Sequence, residues 1–309
     1  MDRQAKVFIA GHRGMVGSAL WRCLSGRGYT NLLTRTRAEL DLLDQSAVDR
    51  FLSRERPDYL FIAAARVGGI EANNTMRADF LYENLQISAN LIQGAHRAGV
   101  QRLMYLASNC IYPRQCPQPM REEMLLTGPL EPTNEPYAIA KIAGLKLCES
   151  HQRQNGRNYV SVIPASLYGP NDNYDPASSH VLPALLRRAH EARVRGDREL
   201  MVWGSGTPRR EFLAVDDLAQ ACVMLAESGY DGGPINIGCG TDLSIRELAQ
   251  AVVRTTGFEG ELVFDATRPD GIARKLLDST RIESLGWRAT TPLDEGLREA
   301  YRTAPFRSA

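Results

Sequence analysis

A chain of 309 residues is long enough to bury a sizeable core, and its 37 basic and 36 acidic side chains leave a formal net charge of +1. That near-balance excludes a general attraction to nucleic acid or to an anionic membrane, and no apolar run approaches the roughly 20 residues needed to cross a bilayer. Six cysteines without a Cys-x-x-Cys pair, and no signal peptide before Lys6, lead us to expect a cytoplasmic protein with a small ligand and no metal site.

Lys6-Val7-Phe8-Ile9-Ala10 is an apolar run of strand length, followed by Gly11-His12-Arg13-Gly14-Met15-Val16-Gly17 and an apolar-periodic helix through Leu20 and Leu24. In a strand, glycine turn and helix, the glycines let the backbone approach a diphosphate. The helix N-terminus then holds it through free N–H groups and the positive dipole end. The spacing is G-x-x-G-x-x-G rather than G-x-G-x-x-G, at the same first strand–helix junction. A second strand over 32–34 ends in Arg35-Thr36-Arg37, where an NAD-selective protein places an acid for the ribose 2′-hydroxyl. Arg37 and Arg13 can clamp a 2′-phosphate between them, so NADP(H) is the expected cofactor. Solvated loop charges are the competing reading, with Glu39 or Asp41 reaching the ribose instead. Asp41 and Leu42 are expected in a turn beside the adenine.

Tyr59-Leu60-Phe61-Ile62 is a buried strand by composition, and it ends in Ala63-Ala64-Ala65, past which a flat ring can lie close to the backbone. A loop with Gly68-Gly69 and Asn73-Asn74, a helix over 80–98 and a strand over 103–107 follow. Ser108-Asn109-Cys110-Ile111-Tyr112-Pro113 stands at the C-terminal end of that strand, where open α/β sheets bind ligands. Tyr137 and Lys141 are four apart in a helical apolar pattern, with Pro136 suited to the first turn, so both project from one face. A free tyrosine, with a pKa of about 10, is a poor proton carrier at neutral pH. The ammonium of Lys141 is expected to bring that value down while Ser108 shares the same reacting oxygen.

A strand over 159–163 continues the alternation of strands and helices. The expected fold is α/β: a Rossmann-like doubly wound parallel sheet with a second, smaller α/β substrate lobe. Residues 1–163, with a return segment at about 209–243, are expected to form the NADP-binding domain, and 164–208 with 244–309 the substrate lobe. Residues 211–217 are expected to begin the returning helix. Cys23, Cys148 and Cys222 lie in helix-like apolar segments as inert core thiols, and Cys116 and Cys239 carry no signal.

The glycine turn, strand-end serine and Tyr-x-x-x-Lys resemble the extended short-chain dehydrogenase/reductase family. Longer stretches tighten the likeness: residues 11–17, 108–113, 131–141, 179–188 and 203–208 are similar to its NADPH-dependent members that epimerise C3 and C5 of a GDP-4-keto-6-deoxyhexose and reduce C4. The resemblance implies that Tyr137 protonates O4 as hydride arrives, Ser108 holds that oxygen and Lys141 holds the nicotinamide ribose. Cys110 would remove the C3 and C5 protons and His180 would return protons from the opposite face. Cofactor contacts are implied for Gly11, Arg13, Gly14, Met15, Val16 and Gly17 in the turn, and for Arg37, Asp41 and Leu42 after the second strand. Ala63, Ala64, Pro164, Lys141 and His180 complete that set. Arg188, Trp203, Arg210 and Lys275 are implied to contact the GDP-keto-sugar, against the plainer readings of a charged helix face and a core tryptophan. A homodimer through the helices near 80–98 and 137–154 is also implied.

Three positions depart from the family pattern: Asn109, Ser166 and Ala214 stand where serine, asparagine and histidine are usual. None is a proposed proton carrier, and Ser166 shortens a side chain expected beside the sugar nucleotide. Rival readings are a nucleotide-sugar 4-epimerase or 4,6-dehydratase, the latter usually carrying Thr-Asp-Glu where this chain has Ser-Asn-Cys. A non-catalytic NADP sensor would tend to lose the Tyr-x-x-x-Lys pair.

Overall fold

The structure is a computed structural model that describes residues 1–268 and 270–307. The first half runs β1 (Val7–Ala10), α1 (Met15–Gly26), β2 (Leu32–Leu33), α2 (Gln45–Glu55), β3 (Tyr59–Ile62), α3 (Ile70–Thr75), α4 (Arg77–Arg97), β4 (Arg102–Leu106), α5 (Glu135–Asn155) and β5 (Asn158–Pro164). The second half runs β6 (Ser166–Tyr168), α6 (Val181–Arg195), β7 (Glu199–Trp203), β8 (Arg209–Arg210), β9 (Phe212–Ala214), α7 (Val215–Ser228) and β10 (Ile235–Ile237). It closes with β11 (Leu243–Ser244), α8 (Ile245–Thr256), β12 (Glu261–Asp265), β13 (Arg274–Lys275), α9 (Thr280–Ser284) and α10 (Leu293–Arg302).

β1 and β3 are buried along their whole length, which is why they are unbroken apolar runs rather than alternating ones. They sit inside a parallel six-stranded sheet ordered β2-β1-β3-β4-β5-β10. The chain winds to one side from β1 to β2 and to the other from β3 onward, so the glycine turn leaves β1 at the switch point where open sheets bind ligands. Helix α5 approaches β4 closely because residue 144 is glycine: a Cβ there would lie 2.5 Å from the Tyr105 ring. A second core, from Tyr168 and Leu182 to Leu297 and Tyr301, joins α6, α8 and α10.

The expected helix start over 211–217 divides in two. Phe212–Ala214 pair with Ser166–Tyr168 in parallel, and the helix begins only at Val215. The alternation of a strand explains this: Phe212 and Ala214 enter the smaller core while Leu213 enters the larger, a split that a helix turn does not produce. Leu277, Ile282 and Trp287 are also buried in the larger core, so the segment around them packs with the first lobe rather than with the rest of 244–309.

Glu211 ties these crossings together. It is 1% exposed, and its carboxylate accepts from the backbone N–H groups of Cys239 (2.7 Å), Gly240 (2.8 Å) and Leu277 (2.9 Å). The chain passes close by at Gly238, where a Cβ would lie 2.4 Å from the carboxylate. A buried carboxylate is tolerated when such donors replace its water. Glu211→Ala leaves the buried N–H of Leu277 and the part-buried N–H groups of Cys239 and Gly240 without their acceptor and is expected to cost about 2 kcal/mol or more, read from the urea midpoint. A loss within about 0.5 kcal/mol would show that the tether is dispensable.

Candidate active site

The glycines of the first turn serve two purposes. Gly11 has φ +87°, and a Cβ there would lie 2.6 Å from Ala64 N, while one at Gly17 would lie 2.2 Å from Gly11 O. Gly11 lets the turn pack against Ala63 and Ala64, at the end of β3, and Gly17 lets α1 close on the turn itself. Gly14 instead has only an ordinary 3.5 Å contact on its side-chain face, and α1 begins there without a side-chain cap. Met15, Val16 and Gly17 form the first turn of α1, whose N–H groups have no intrahelical partner, the donor set that suits a diphosphate.

Beyond β2, Arg13 and Arg37 are exposed, and Arg37 Nε lies 4.0 Å from Asp41. Glu39 is committed elsewhere, accepting from Thr36 N (2.7 Å) and Thr36 Oγ1 (2.8 Å). The turn through Asp41 and Leu42 is fixed by Leu43 N donating to Asp41 Oδ1 and Asn90 Nδ2 donating to Leu42 O. Pro164 ends β5 opposite Ile237. The donors at α1, the shallow floor at Ala63–Ala64 and the arginines fit a dinucleotide.

At the end of β4, Ser108 has an extended backbone and caps a short turn over Asn109–Ile111, its Oγ accepting from Cys110 N at 3.4 Å. Lys141, 3% exposed, donates from Nζ to Leu106 O at 2.8 Å and lies 5.7 Å from the centre of the Tyr137 ring. Phe80 of α4 meets the same ring edge-on at 6.5 Å. One helix face thus presents Tyr137 beside the Ser108–Cys110 turn.

The titration of Tyr137 runs opposite to expectation. Burial pushes its phenol well up, reinforced by Cys110 and Tyr105. The lysine is itself buried, which lowers it to about 8, and one of its three donors is held by the Leu106 carbonyl. Tyr137 therefore stays a protonated phenol, the form that donates. Burial also raises the Cys110 thiol, and Lys275 is the strongest of the groups that pull it back.

His180 is the N-cap residue of α6, without a side-chain cap bond. Solvent reaches its side chain, yet burial among surrounding atoms lowers its pKa, as befits a cleft wall, and Lys275 lowers it further. Its loop bridges the lobes: Asn171 Nδ2 donates to Ser18 Oγ at 3.0 Å, and Gly69 N donates to Ser178 O at 2.8 Å. Arg210 and Lys275 are register partners on β8 and β13, and both are lowered by burial. Arg188 is tied by its guanidinium to Met201 O of β7. Trp203 is 55% exposed with Arg268 stacked 4.8 Å from its ring centre, so it is a rim residue and not a core tryptophan.

Among the departures, Ser166 lies in β6 with its N–H donating to Glu211 O, and Ala214 is buried in the smaller core, where its small side chain fits. Two residues escaped the sequence reading. Glu131, whose charge reaches Lys275, lies six residues before Tyr137 in the stretch already singled out. Asp172, in the loop after β6, has its carboxyl pushed up to about 7 by burial, and only its place after Gly169-Pro170 hinted at it.

Comparison with known proteins agrees with this geometry. Residues 7–238 match the model of the NAD dependent epimerase/dehydratase family. The GDP-L-fucose synthase of Escherichia coli K12 is 54% identical, with 98% of this chain and 97% of that protein covered. GDP-L-fucose synthase 1 of Arabidopsis thaliana is also 54% identical, covering 97% and 93%. Among solved structures, a GDP-mannoheptose C4 reductase from Campylobacter jejuni with NADP bound superposes with a TM-score of 0.90 at 37% identity, covering 98% and 99%. The chain belongs to the NAD dependent epimerase/dehydratase family of extended short-chain dehydrogenase/reductases, within its GDP-L-fucose synthase branch.

Proposed function

We propose that this enzyme converts GDP-4-keto-6-deoxy-D-mannose to GDP-L-fucose by epimerising C3 and C5 and then reducing C4 at the expense of NADPH. The observation that carries the reading is the convergence of Ser108, Cys110, Tyr137 and Lys141 at the end of β4, with His180 and Lys275 brought from the second lobe. Ser-Asn-Cys in place of Thr-Asp-Glu disfavours a dehydratase, and the intact Tyr137–Lys141 pair disfavours a cofactor sensor.

Each residue has a defined task. Cys110, as thiolate, removes the proton from C3 and later C5, while His180 delivers a proton to the opposite face. Charge then develops on O4 of the enolate, where the hydroxyls of Ser108 and Tyr137 donate hydrogen bonds. The bound cofactor supplies hydride to C4. Tyr137, held as a phenol by burial, gives O4 its proton in that step, and Lys141 orients the nicotinamide ribose. One thiol serving two carbons means that the sugar turns in the pocket between exchanges.

The phosphorylated cofactor is favoured because Glu39 is occupied by Thr36 while Arg13 and Arg37 remain exposed, and the superposed C4 reductase carries NADP. Arg188, Trp203, Arg210 and Lys275 line the proposed sugar-nucleotide side. Six free cysteines suit the reducing cytoplasm. Tyr82 on α4 and Ile139 on α5, 63% and 42% exposed, mark the face proposed to pair in a homodimer.

Incubation with GDP-4-keto-6-deoxy-D-mannose and NADPH in deuterated water is expected to give GDP-L-fucose labelled at C3 and C5 by NMR; reduction without label would refute the bifunctional reading. Cys110→Ser is expected to slow label incorporation by about 100-fold or more while NADPH still binds. Unchanged incorporation would remove Cys110 as the base. Arg37→Glu is expected to raise KM for NADPH by about tenfold or more and that for NADH much less. An equal effect on both cofactors would place the 2′-phosphate elsewhere.

A further inference from the structure

We infer that Phe80 is the positioning residue of Tyr137: its ring, braced from behind, sets the direction in which the Tyr137 phenol points, and it acts on C4 reduction through that hydroxyl. This rests on the reading of Tyr137 as the proton donor to O4 and adds the group that aims it.

The first support is how the phenol is held. Tyr105, Tyr112 and Tyr159 fix their hydroxyls at Ser88 Oγ, Asn236 Oδ1 and Val100 O. Among the described residues the Tyr137 hydroxyl has no such partner. That leaves it free to meet O4, and it leaves the direction of the half-buried ring to packing. Lys141 Nζ lies 5.7 Å from the ring centre, but it stands one turn along the same helix. Phe80 comes from another element, α4, and its ring centre lies 6.5 Å from that of Tyr137 with the planes at 76°. Edge-on pairs at this separation are favourable and have a defined geometry.

The second support is how firmly Phe80 itself is placed. It is 1% exposed, and the Arg66 guanidinium lies 5.4 Å from its ring centre. The turn after β3 passes against the ring at Gly68, where a Cβ would lie 3.0 Å from Phe80 Cζ. Asn84, also 1% exposed, ties these pieces together. Its Nδ2 donates to Phe80 O at 2.7 Å and to Arg66 O at 3.0 Å, and its Oδ1 accepts from Arg66 N at 2.9 Å. The Arg66 guanidinium also pairs with Glu83 and lies 3.6 Å from Asp79, both on α4. Phe80 is thus enclosed by Arg66, Gly68 and Tyr137, and it cannot turn from the tyrosine without displacing a bonded arginine or the glycine turn.

The placement matters for the chemistry. Arg66 stands two residues after Ala64, in the segment proposed to floor the cofactor. The series Arg66, Phe80, Tyr137 therefore runs from the cofactor floor to the proton donor. Hydride and proton must reach the two ends of one carbonyl together, and a single buried ring sets the spacing between their sources.

The test is a double-mutant cycle between Phe80→Leu, which keeps an apolar side chain but removes the flat ring, and Tyr137→Phe, which removes only the hydroxyl. In single turnover with GDP-4-keto-6-deoxy-D-mannose, Phe80→Leu is expected to slow hydride transfer about tenfold while KM for NADPH changes less than about twofold. The primary isotope effect from C4-deuterated NADPH should rise. Added to Tyr137→Phe, Phe80→Leu should slow reduction no further. A full tenfold loss in that background, or a parental rate in Phe80→Leu alone, would overturn the proposal and leave Phe80 as ordinary core. Should Phe80→Leu fail to fold, Phe80→Met carries the same cycle. A second readout needs no substrate. In protein made with ring-13C tyrosine, the Tyr137 signal, assigned by its loss in Tyr137→Phe, is expected to be ordered in the parent and more mobile in Phe80→Leu. A mobilised ring in a protein that does not turn over the keto-sugar would sustain the positioning and refute the proposed substrate, whereas turnover by the parent with an equally ordered ring in Phe80→Leu would refute the positioning.

Discussion

The bond from Lys141 Nζ to Leu106 O is the contact on which the site depends. A buried ammonium must have a partner, and here the partner is a carbonyl at the last residue of β4, so α5 is pinned in register with the strand end that carries Ser108 and Cys110. The approach is possible because Gly144 leaves room for the Tyr105 ring, whose hydroxyl lies 3.1 Å from Ser88 Oγ on α4. Substituting Gly144 would push α5 outward and draw Tyr137 away from the turn. Packing about two turns of helix away from Tyr137 therefore sets the distance at which the chemistry operates.

Much of this was legible in the sequence because it is local. The β1–turn–α1 unit is contiguous, and its glycines follow from the approach of Ala63–Ala64 and from the open face at Gly14. Pro136 marks the first turn of α5, and the i, i+4 spacing puts Tyr137 and Lys141 together. The two- and three-residue strands β6, β8, β9 and β13 were not legible, since their pairing depends on partners far along the chain. The strand at Phe212–Ala214 is the clearest case: an apolar run before Asp216-Asp217 looks like a helix start until β6 is beside it.

The titration at Tyr137 was misread for a related reason. Spacing says that an ammonium is near; it does not say where the ammonium points or how much water remains. With Lys141 buried against Leu106 O and Tyr137 half-buried, desolvation dominates, and the phenol moves up instead of down. The result suits the last step of the proposed reaction, which needs a proton donor at O4, and it leaves the anion of the earlier steps to be carried by sulfur.

That division has a consequence for how the lobes cooperate. Cys110 belongs to the end of β4 and His180 to the start of α6, so the two sides of the proposed proton exchange come from different lobes, and any relative motion changes the distance between them. Lys275 sits on the segment bonded to both lobes, with Glu211 holding Leu277 on one side and Gln118 holding Leu276 on the other. The hydrogen bonds that join the lobes therefore also restrain the geometry between the two proposed proton carriers.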